Sequence, residues 1–555
     1  MRVAPSSNRP VLLYAAVVAL AIAASATGIA NEFALDDVAI IAGNQRVQTL
    51  DRWWRLFATS YWPPDQGQSL YRPVITLGFA LQWKLGGGSP LPYHVVSVAL
   101  YAVACGLVLA LFRQLIESSA ASFAAASLFA VHPVHVEAVG NIVGQAELVA
   151  AVATLAGSVI YMKARQRVRP GAGAVSAIAA LYALACLAKE HALLFPAILL
   201  LLELFAVGAT ETRRAMGTRM RELAPLFTVL ASIAIVYLTA RTLVLGELLG
   251  EKHLVPTDGG GRIWVMLAVV PHWIRLLFWP ARLSAEYSPQ HIELPSTPDA
   301  SIVPGLLAMI ALAILYRALG TGQWAESRDW RTGRLAIALG ALTLLPVSNL
   351  FSVMVIAERT LFLPSVAAML AVGAVVSSAG RRVNPPLARA ARPVAIVAAI
   401  ALVSIGVWRS AERQRVWRDN DALFSQMVVD APKSYRAQYF YGQLLFDRGQ
   451  RAEGERYLKR SIELNPTPSD VSPLNYLATQ YRMSGMCGPA LPLYERALAG
   501  NAARPDVRYG LAACLLELGR VADARRLAEE GVRRGDLRSL FQALIARTDS
   551  ASRRG

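Results

Sequence analysis

Asp36 and Asp37 stand side by side in NEFALDDVAII, directly after an apolar run from Val11 to Ala30 that is long enough to cross a bilayer. Other ionisable side chains lie in or beside the same kind of boundary. They are Arg72 in SLYRP, His132, His135, Glu137 and Glu147 in HPVHVEAVGNIVGQAE, Lys189 and Glu190 in AKEH, and Glu358 and Arg359 in AERT. Ionisable groups at membrane depth are costly, so they are kept for function or paired with one another. A carboxylate within hydrogen-bond reach of an alcohol can take its proton, and cations can stabilise an anion that leaves. Each residue also has a plain structural reading: interfacial Arg and Lys snorkel to the headgroups, and a His beside Pro often caps a helix. That reading weakens once the whole set gathers on one side of a membrane.

The elements that must position these residues are transmembrane helices. Apolar residues make up 55% of the 555 and charged residues 17%, the proportions of a polytopic membrane protein. Crossings are expected near 11–30, 94–113, 119–132, 146–162, 173–188, 191–208, 223–243, 302–318, 333–350, 361–380 and 393–410. Pro73 to Leu85 and Trp264 to Trp279, short, aromatic and bounded by proline, read as interfacial or re-entrant segments.

A formal charge of +17 would point a soluble chain toward nucleic acid; here the arginines report topology instead, and no nucleic-acid partner is expected. Arg2 and Arg9 precede the first crossing. Further clusters are Lys163, Arg165, Arg167 and Arg169; Arg213, Arg214, Arg219 and Arg221; Arg317, Arg328, Arg331 and Arg334; and Arg381, Arg382, Arg389 and Arg392. Eleven crossings put the N-terminus and every cluster on the cytoplasmic side, and the acid pair on the other. Val11 to Ala30 also reads as a secretory signal with an Ala-x-Ala-like end. Cleavage would leave Asp36 and Asp37 outside all the same, and retention as an anchor is preferred.

After about Trp408 the apolar runs give way to a periodic pattern. Three aligned stretches superpose Gly449, Gly485 and Gly519, spaced 36 and 34 residues apart. Small residues recur in register, Gly442, Ala478 and Ala512 in each first helix and Gly454, Ala490 and Ala524 in each second. This is the pattern of a helix-turn-helix solenoid repeat, whose concave face usually holds an extended peptide. The expected organisation is a membrane domain over 1–410 with outer loops at 31–93 and 244–301, a linker at 411–434, and about three tetratricopeptide-type repeats over 435–545. Cys487 and Cys514 fall in successive repeats, where an oxidising compartment would allow a disulfide, although helical repeats rarely need one.

The stretches FALDDVAIIAGN, SLYRP, LFAVHPVHVEAVGNIVGQAEL, LAKEHALLFPAILLLLEL and SNLFSVMVIAERTLFLPS, in this order, resemble the transmembrane and tetratricopeptide-repeat O-mannosyltransferases of the GT-C superfamily, in a bacterial version. The resemblance runs from about Asn31 to the last repeat, and HPVHVEAV and AERTLFLPS carry it most specifically. It implies an all-α GT-C membrane body followed by an α-solenoid. It also implies transfer of a sugar, mannose by family, from a polyprenyl-phosphate donor to a hydroxyl, with inversion, on the outer face of a bacterial inner membrane. The repeats tilt the acceptor toward a polypeptide. Departures are Gln145 where the family usually has Arg, Glu286 where it has Asp, and fewer repeats.

In the roles that the resemblance implies, Asp36 is the general base and Asp37 orients the acceptor or coordinates a metal. Arg359, Lys189, Arg72 and His135 are candidates for the donor phosphate, with Arg359 preferred because guanidinium binds phosphate through two N–H groups. His132, Glu137, Glu147, Glu190 and Glu358 support them. H-x-x-H-x-E with an intervening Pro is not a zinc spacing. No cofactor is required, and a divalent cation, Mg or Mn, at Asp36 and Asp37 is the one metal site left open. Two rival readings differ in class. A transporter or flippase predicts inverted internal repeats, which are not visible, and a non-catalytic assembly factor would not need so many charges on one face.

Overall fold

The computed structural model describes the chain apart from residues 1–8, 64–68, 167–169, 208–212, 248–260, 289–290, 293, 296, 322–326, 351–355, 383–384, 467–469, 536 and 554–555. Arg2, Arg167 and Arg169, used in the charge reading, therefore lie outside the described residues. Every regular element among the described residues is helical. They fall into two compact units, the first ending at residue 426 and the second formed by the rest of the chain with the segment Glu286–Leu294.

The first unit holds α1 (Arg9–Ser25), α2 (Pro73–Gly86), α3 (Leu91–Leu115), α4 (Ser119–Ala130), α5 (Val136–Gly140), α6 (Gln145–Ala164), α7 (Ala172–Ala188), α8 (Phe195–Leu202), α9 (Arg213–Leu245), α10 (Gly261–Phe278), α11 (Val303–Ala318), α12 (Arg328–Leu344), α13 (Phe362–Arg382) and α14 (Pro385–Gln414). Helices satisfy every backbone group internally, which lipid demands. Val394, Val397 and Ile400 on α14 and Leu307 and Ile314 on α11 are 60–70% exposed. Such continuous apolar surface is stable against lipid, not water.

Among the described residues nine helices are long and apolar enough to cross a bilayer, or ten if α4 and α5, bent by 45°, count as one. The sequence expectation was eleven. The difference lies in α7 and α12, which are only 17 residues long, α12 also opening on Arg328, Asp329, Arg331 and Arg334, and in α10, which is apolar enough to be added. The contacts at the helix ends show which helices run through. At one end α1, α3, α4, α6, α7, α13 and α14 meet around Asn31, His94, Val131, Gln145, Lys189, Arg359 and Gln414. At the other, Arg165 of α6 pairs with Glu203 at 2.8 Å and Arg219 of α9 joins it at 3.3 Å. Arg334 of α12 lies over Phe205 and Tyr316, and Asp329 binds the Glu117 amide and Arg381. Described members of all four basic clusters thus share the end away from Asp36.

α10 differs from the others. Arg262 in its first turn donates to the Leu350 carbonyl at 3.3 Å, and Leu277 in its last meets His132 at 3.1 Å. Leu350 follows α12 and His132 follows α4, both on the Asp36 side, so α10 lies across that end. α2 does the same between Arg72 and the start of α3, where Tyr93 donates to the Phe79 carbonyl at 2.9 Å.

Residues 411–434 are mostly helical, through the end of α14 and α15 (Asn420–Asp430). The second unit pairs α16 (Tyr435–Asp447) with α17 (Arg451–Leu464), α18 (Ser472–Met483) with α19 (Cys487–Gly500), and α20 (Pro505–Glu517) with α21 (Val521–Arg534), and then adds α22 (Arg538–Ser552). Gly449, Gly485 and Gly519 end the first helix of each pair at φ of 78°, 74° and 78°, a left-handed conformation that favours glycine. A Cβ on Gly442 would stand 3.1 Å from the Gly454 carbonyl oxygen, the close approach that its register anticipated. Cys487 and Cys514 form a disulfide between α19 and α20, with Cα atoms 5.1 Å apart.

Candidate active site

The loop after α1 is tied at three points. Asn31 donates to the Gln414 carbonyl at 3.0 Å, the Glu32 amide to the Arg418 carbonyl at 2.7 Å, and the Leu35 amide to Asn420 at 2.7 Å. Leu35 takes φ of 52°, a strained conformation for a branched side chain. The chain turns sharply there, and the two acids that follow part company.

Asp37 points inward and is fully buried. One carboxylate oxygen accepts the Val143 amide at 2.9 Å, and the other accepts the Ile142 amide at 3.1 Å and the Ala34 amide at 3.5 Å. Burial raises its pKa to about 7 against the pull of these amides, with the Asp36 charge adding to the rise. Asp37 therefore joins the first loop to the turn that begins α6. Asp36 stays 24% exposed, and its one ion pair among the described residues is a long contact of 3.6 Å to Arg359.

Arg359 lies in the turn just before α13 and is held twice by Glu137 of α5, whose oxygens accept its guanidinium at 2.7 Å and its backbone amide at 2.9 Å. Arg72, just before α2, donates through Nε and Nη2 to Glu190, the closest contact being 2.9 Å. Burial works against the Arg72 charge and Glu190 more than restores it, so its pKa lies above the ordinary value. Lys189, at the end of α7, pairs with Glu147 in the first turn of α6, and His191 lies 3.4 Å from the same carboxylate. Burial depresses the Lys189 pKa, Glu147 pushes back, and Arg72 and Arg359 depress it further. Arg72, Lys189 and Arg359 and the carboxylates Asp36, Glu137, Glu147 and Glu190 thus gather where six stretches of chain meet. The cluster offers a proton acceptor at Asp36 beside two guanidinium groups suited to an oxyanion.

A model of the tetratricopeptide repeat matches residues 488–548. The chain is 27% identical to Protein O-mannosyl-transferase F38B6.6 of Caenorhabditis elegans over 79% of this chain and 60% of that protein. It is 23% identical to human Protein O-mannosyl-transferase TMTC1 over 81% of this chain and 55% of that one. The chain is thus similar, along about four-fifths of its length, to proteins named O-mannosyl-transferases. Human Protein O-mannosyl-transferase TMTC4 is a further relative at 26%, covering 82% of this chain and 66% of its own length. The chain therefore spans less than two thirds of the length of the first two relatives. Among solved structures, ArnT from Cupriavidus metallidurans bound to undecaprenyl phosphate aligns over 95% of this chain and 81% of its own at 13% identity, with a TM-score of 0.35.

Several expected site residues stand apart from the cluster. His135 is 2% exposed, its ring nitrogens engaged by Tyr101 at 3.0 Å and Ser365 at 2.8 Å, and its ring lies 4.4 Å from Phe129 and 4.7 Å from Phe362. It is a satisfied core histidine with no nitrogen left for a phosphate. His132 accepts the Val134 amide and meets the Leu277 carbonyl, capping a turn. Glu358 accepts the Ser284 amide at 2.7 Å and braces the chain after α10. Glu286 pairs with Arg436 at 3.0 Å inside the repeat unit. Both Asp37 oxygens accept backbone amides, from Val143 on one and from Ile142 on the other. Among the described residues no group of three or more His, Cys, Asp or Glu could hold a metal ion.

Two residues outside the candidate set join the cluster. His191 follows Lys189 and Glu190 directly, so its place was signalled. Tyr61 was not: its position depends on how the loop between α1 and α2 folds back.

Proposed function

We propose that this chain is an inverting GT-C glycosyltransferase of a bacterial inner membrane that moves a sugar from a polyprenyl-phosphate donor to a hydroxyl acceptor on the extracytoplasmic face. The observation that carries the reading is Asp36. It is partly exposed and held by one long ion pair, whereas Glu137, Glu147 and Glu190 are each closed onto a cation. In the reaction the acceptor oxygen attacks the anomeric carbon as its proton passes to Asp36. The bond from that carbon to the phosphate oxygen breaks, and the lipid phosphate leaves with the electron pair. Arg359 and Arg72 offset the charge that develops on it. A single displacement of this kind inverts the anomeric configuration.

A donor with a lipid tail keeps its phosphate at the interface, which suits a cluster at one end of a helical bundle. The four basic groups at the opposite end favour that end as the cytoplasmic one. The relatives named O-mannosyltransferases favour mannose, and a solenoid of helical pairs favours a polypeptide acceptor, Ser or Thr, held in its concave face. The test is reconstitution of the full chain in proteoliposomes with a panel of radiolabelled polyprenyl-phosphate sugars and extracytoplasmic proteins. Label on Ser or Thr from the mannose donor is the expected result. Failure of the whole panel under conditions where the protein remains folded refutes the reading.

A further inference from the structure

Tyr61 lies in the loop between α1 and α2, its amide donating to the Leu70 carbonyl at 2.9 Å. Its ring packs with Phe79 at 6.4 Å and is 2% exposed. The hydroxyl at its tip is buried and has no hydrogen-bond partner among the described residues. Buried phenols usually find a partner, and phenylalanine would fill the same space without leaving a polar atom unpaired. A tyrosine here points to an acceptor that the chain itself does not supply.

The surroundings narrow what that acceptor is. The Arg72 guanidinium lies 5.2 Å from the ring centroid. The hydroxyl feels the charges of Arg72, Asp36, Asp37 and Arg359, and burial raises its pKa, so it remains a protonated donor. Arg72 spends Nε and Nη2 on Glu190 and, among the described residues, leaves Nη1 uncommitted. The acceptor that suits a phenol O–H beside the Arg72 guanidinium and within the field of Arg359 is an oxyanion with several oxygens.

We propose that the Tyr61 hydroxyl donates to a phosphate oxygen of the lipid carrier, completing with Arg72 and Arg359 a cradle for that phosphate. The inference rests on the donor class proposed above and adds a binding residue to it.

The experiment compares full-length parent and Tyr61→Phe in nanodiscs by direct binding of polyprenyl phosphate, polyprenol and inorganic phosphate, with melting of the ligand-free proteins alongside. A hydrogen bond to a charged group predicts roughly 10- to 100-fold weaker polyprenyl phosphate binding in Tyr61→Phe. Polyprenol binding stays unchanged, and the ligand-free melting temperature is equal or higher because an unpaired hydroxyl is gone. An equal loss for inorganic phosphate identifies the phosphate alone as the ligand, whereas a loss confined to polyprenyl phosphate requires the lipid as well. Both outcomes keep the contact. Equal polyprenyl phosphate affinity in parent and variant overturns this inference alone. A parent that binds no polyprenyl phosphate overturns the donor assignment, and this inference with it.

Discussion

Asp36 and Asp37 are adjacent and chemically identical, yet their asparagine variants should fail in opposite ways. Asp36→Asn removes one long, partly exposed contact to Arg359, which solvent screening limits to at most about 1 kcal/mol of stability. Arg359 keeps both of its bonds to Glu137. The proposed general base is lost, however, and transfer should fall by roughly 10²- to 10⁴-fold. Asp37→Asn reverses the balance. Its two oxygens serve the Val143 and Ile142 amides separately, and a carboxamide has only one oxygen. One buried N–H then faces an NH₂ group, at a cost of about 1 to 3 kcal/mol. Melting at pH 4 should drop measurably, and transfer should fall only as far as the loop loosens. The assay is transfer of radiolabelled mannose from polyprenyl-phosphate mannose, with melting of both variants followed by tryptophan fluorescence. Parent-like transfer by Asp36→Asn would refute the reasoning. So would an Asp37→Asn protein of parent stability that no longer transfers, since it would exchange the two roles.

Asp37 also predicts a pH dependence. The unfolded chain loses this proton near 3.8 and the folded chain keeps it to about 7, so stability falls as pH rises between those values, by about 4 kcal/mol over the roughly three units. The difference in melting temperature between parent and Asp37→Asn should therefore shrink or reverse from pH 4 to pH 7, and a constant difference would contradict it. The Cys487–Cys514 disulfide closes a 27-residue separation, which corresponds to about 3 kcal/mol. Reductant should lower the melting temperature of the parent and leave Cys514→Ser unaffected; alkylation of both thiols in unreduced membranes would show that the bond does not form. A Cβ on Gly510 would stand 2.4 to 2.6 Å from ring atoms of Tyr494, so Gly510→Ala should destabilise the repeats by about 1 to 3 kcal/mol, read as a lower denaturant midpoint.

The legible parts of this molecule are those governed by local periodicity. Apolar runs marked helices, and Gly449, Gly485 and Gly519 marked turns because only a left-handed residue ends each first helix there. α10, whose prolines and aromatics suggest an interfacial or re-entrant segment, is an 18-residue helix apolar enough to cross, with both ends in contact with residues that follow α12 and α4. The order of the acid pair was not. It depends on Leu35 at φ of 52° and on amides more than a hundred residues away at Ile142 and Val143. His135 is not legible for a related reason: an imidazole in a polar motif looks the same in sequence whether it faces a ligand or packs against Phe129 and Phe362 in tilted contacts.

Gln145 shows how far such long-range partners change the meaning of a departure from family pattern. A glutamine where the resemblance sets arginine removes a cation from this position. In this chain Gln145 is buried and exchanges two hydrogen bonds with Gln82, at 3.0 and 2.9 Å, while its amide also donates to the Tyr93 carbonyl at 3.0 Å. An arginine there would need a buried counter-ion, and the nearest carboxylate in sequence, Glu147, already serves Lys189 and His191. The side chain turns toward α2 and α3, bracing the segment that carries Arg72. Loss of the cation at this position therefore leaves Arg72, Lys189 and Arg359 in place, and the amide pair contributes to the site by holding the wall on which one of them stands.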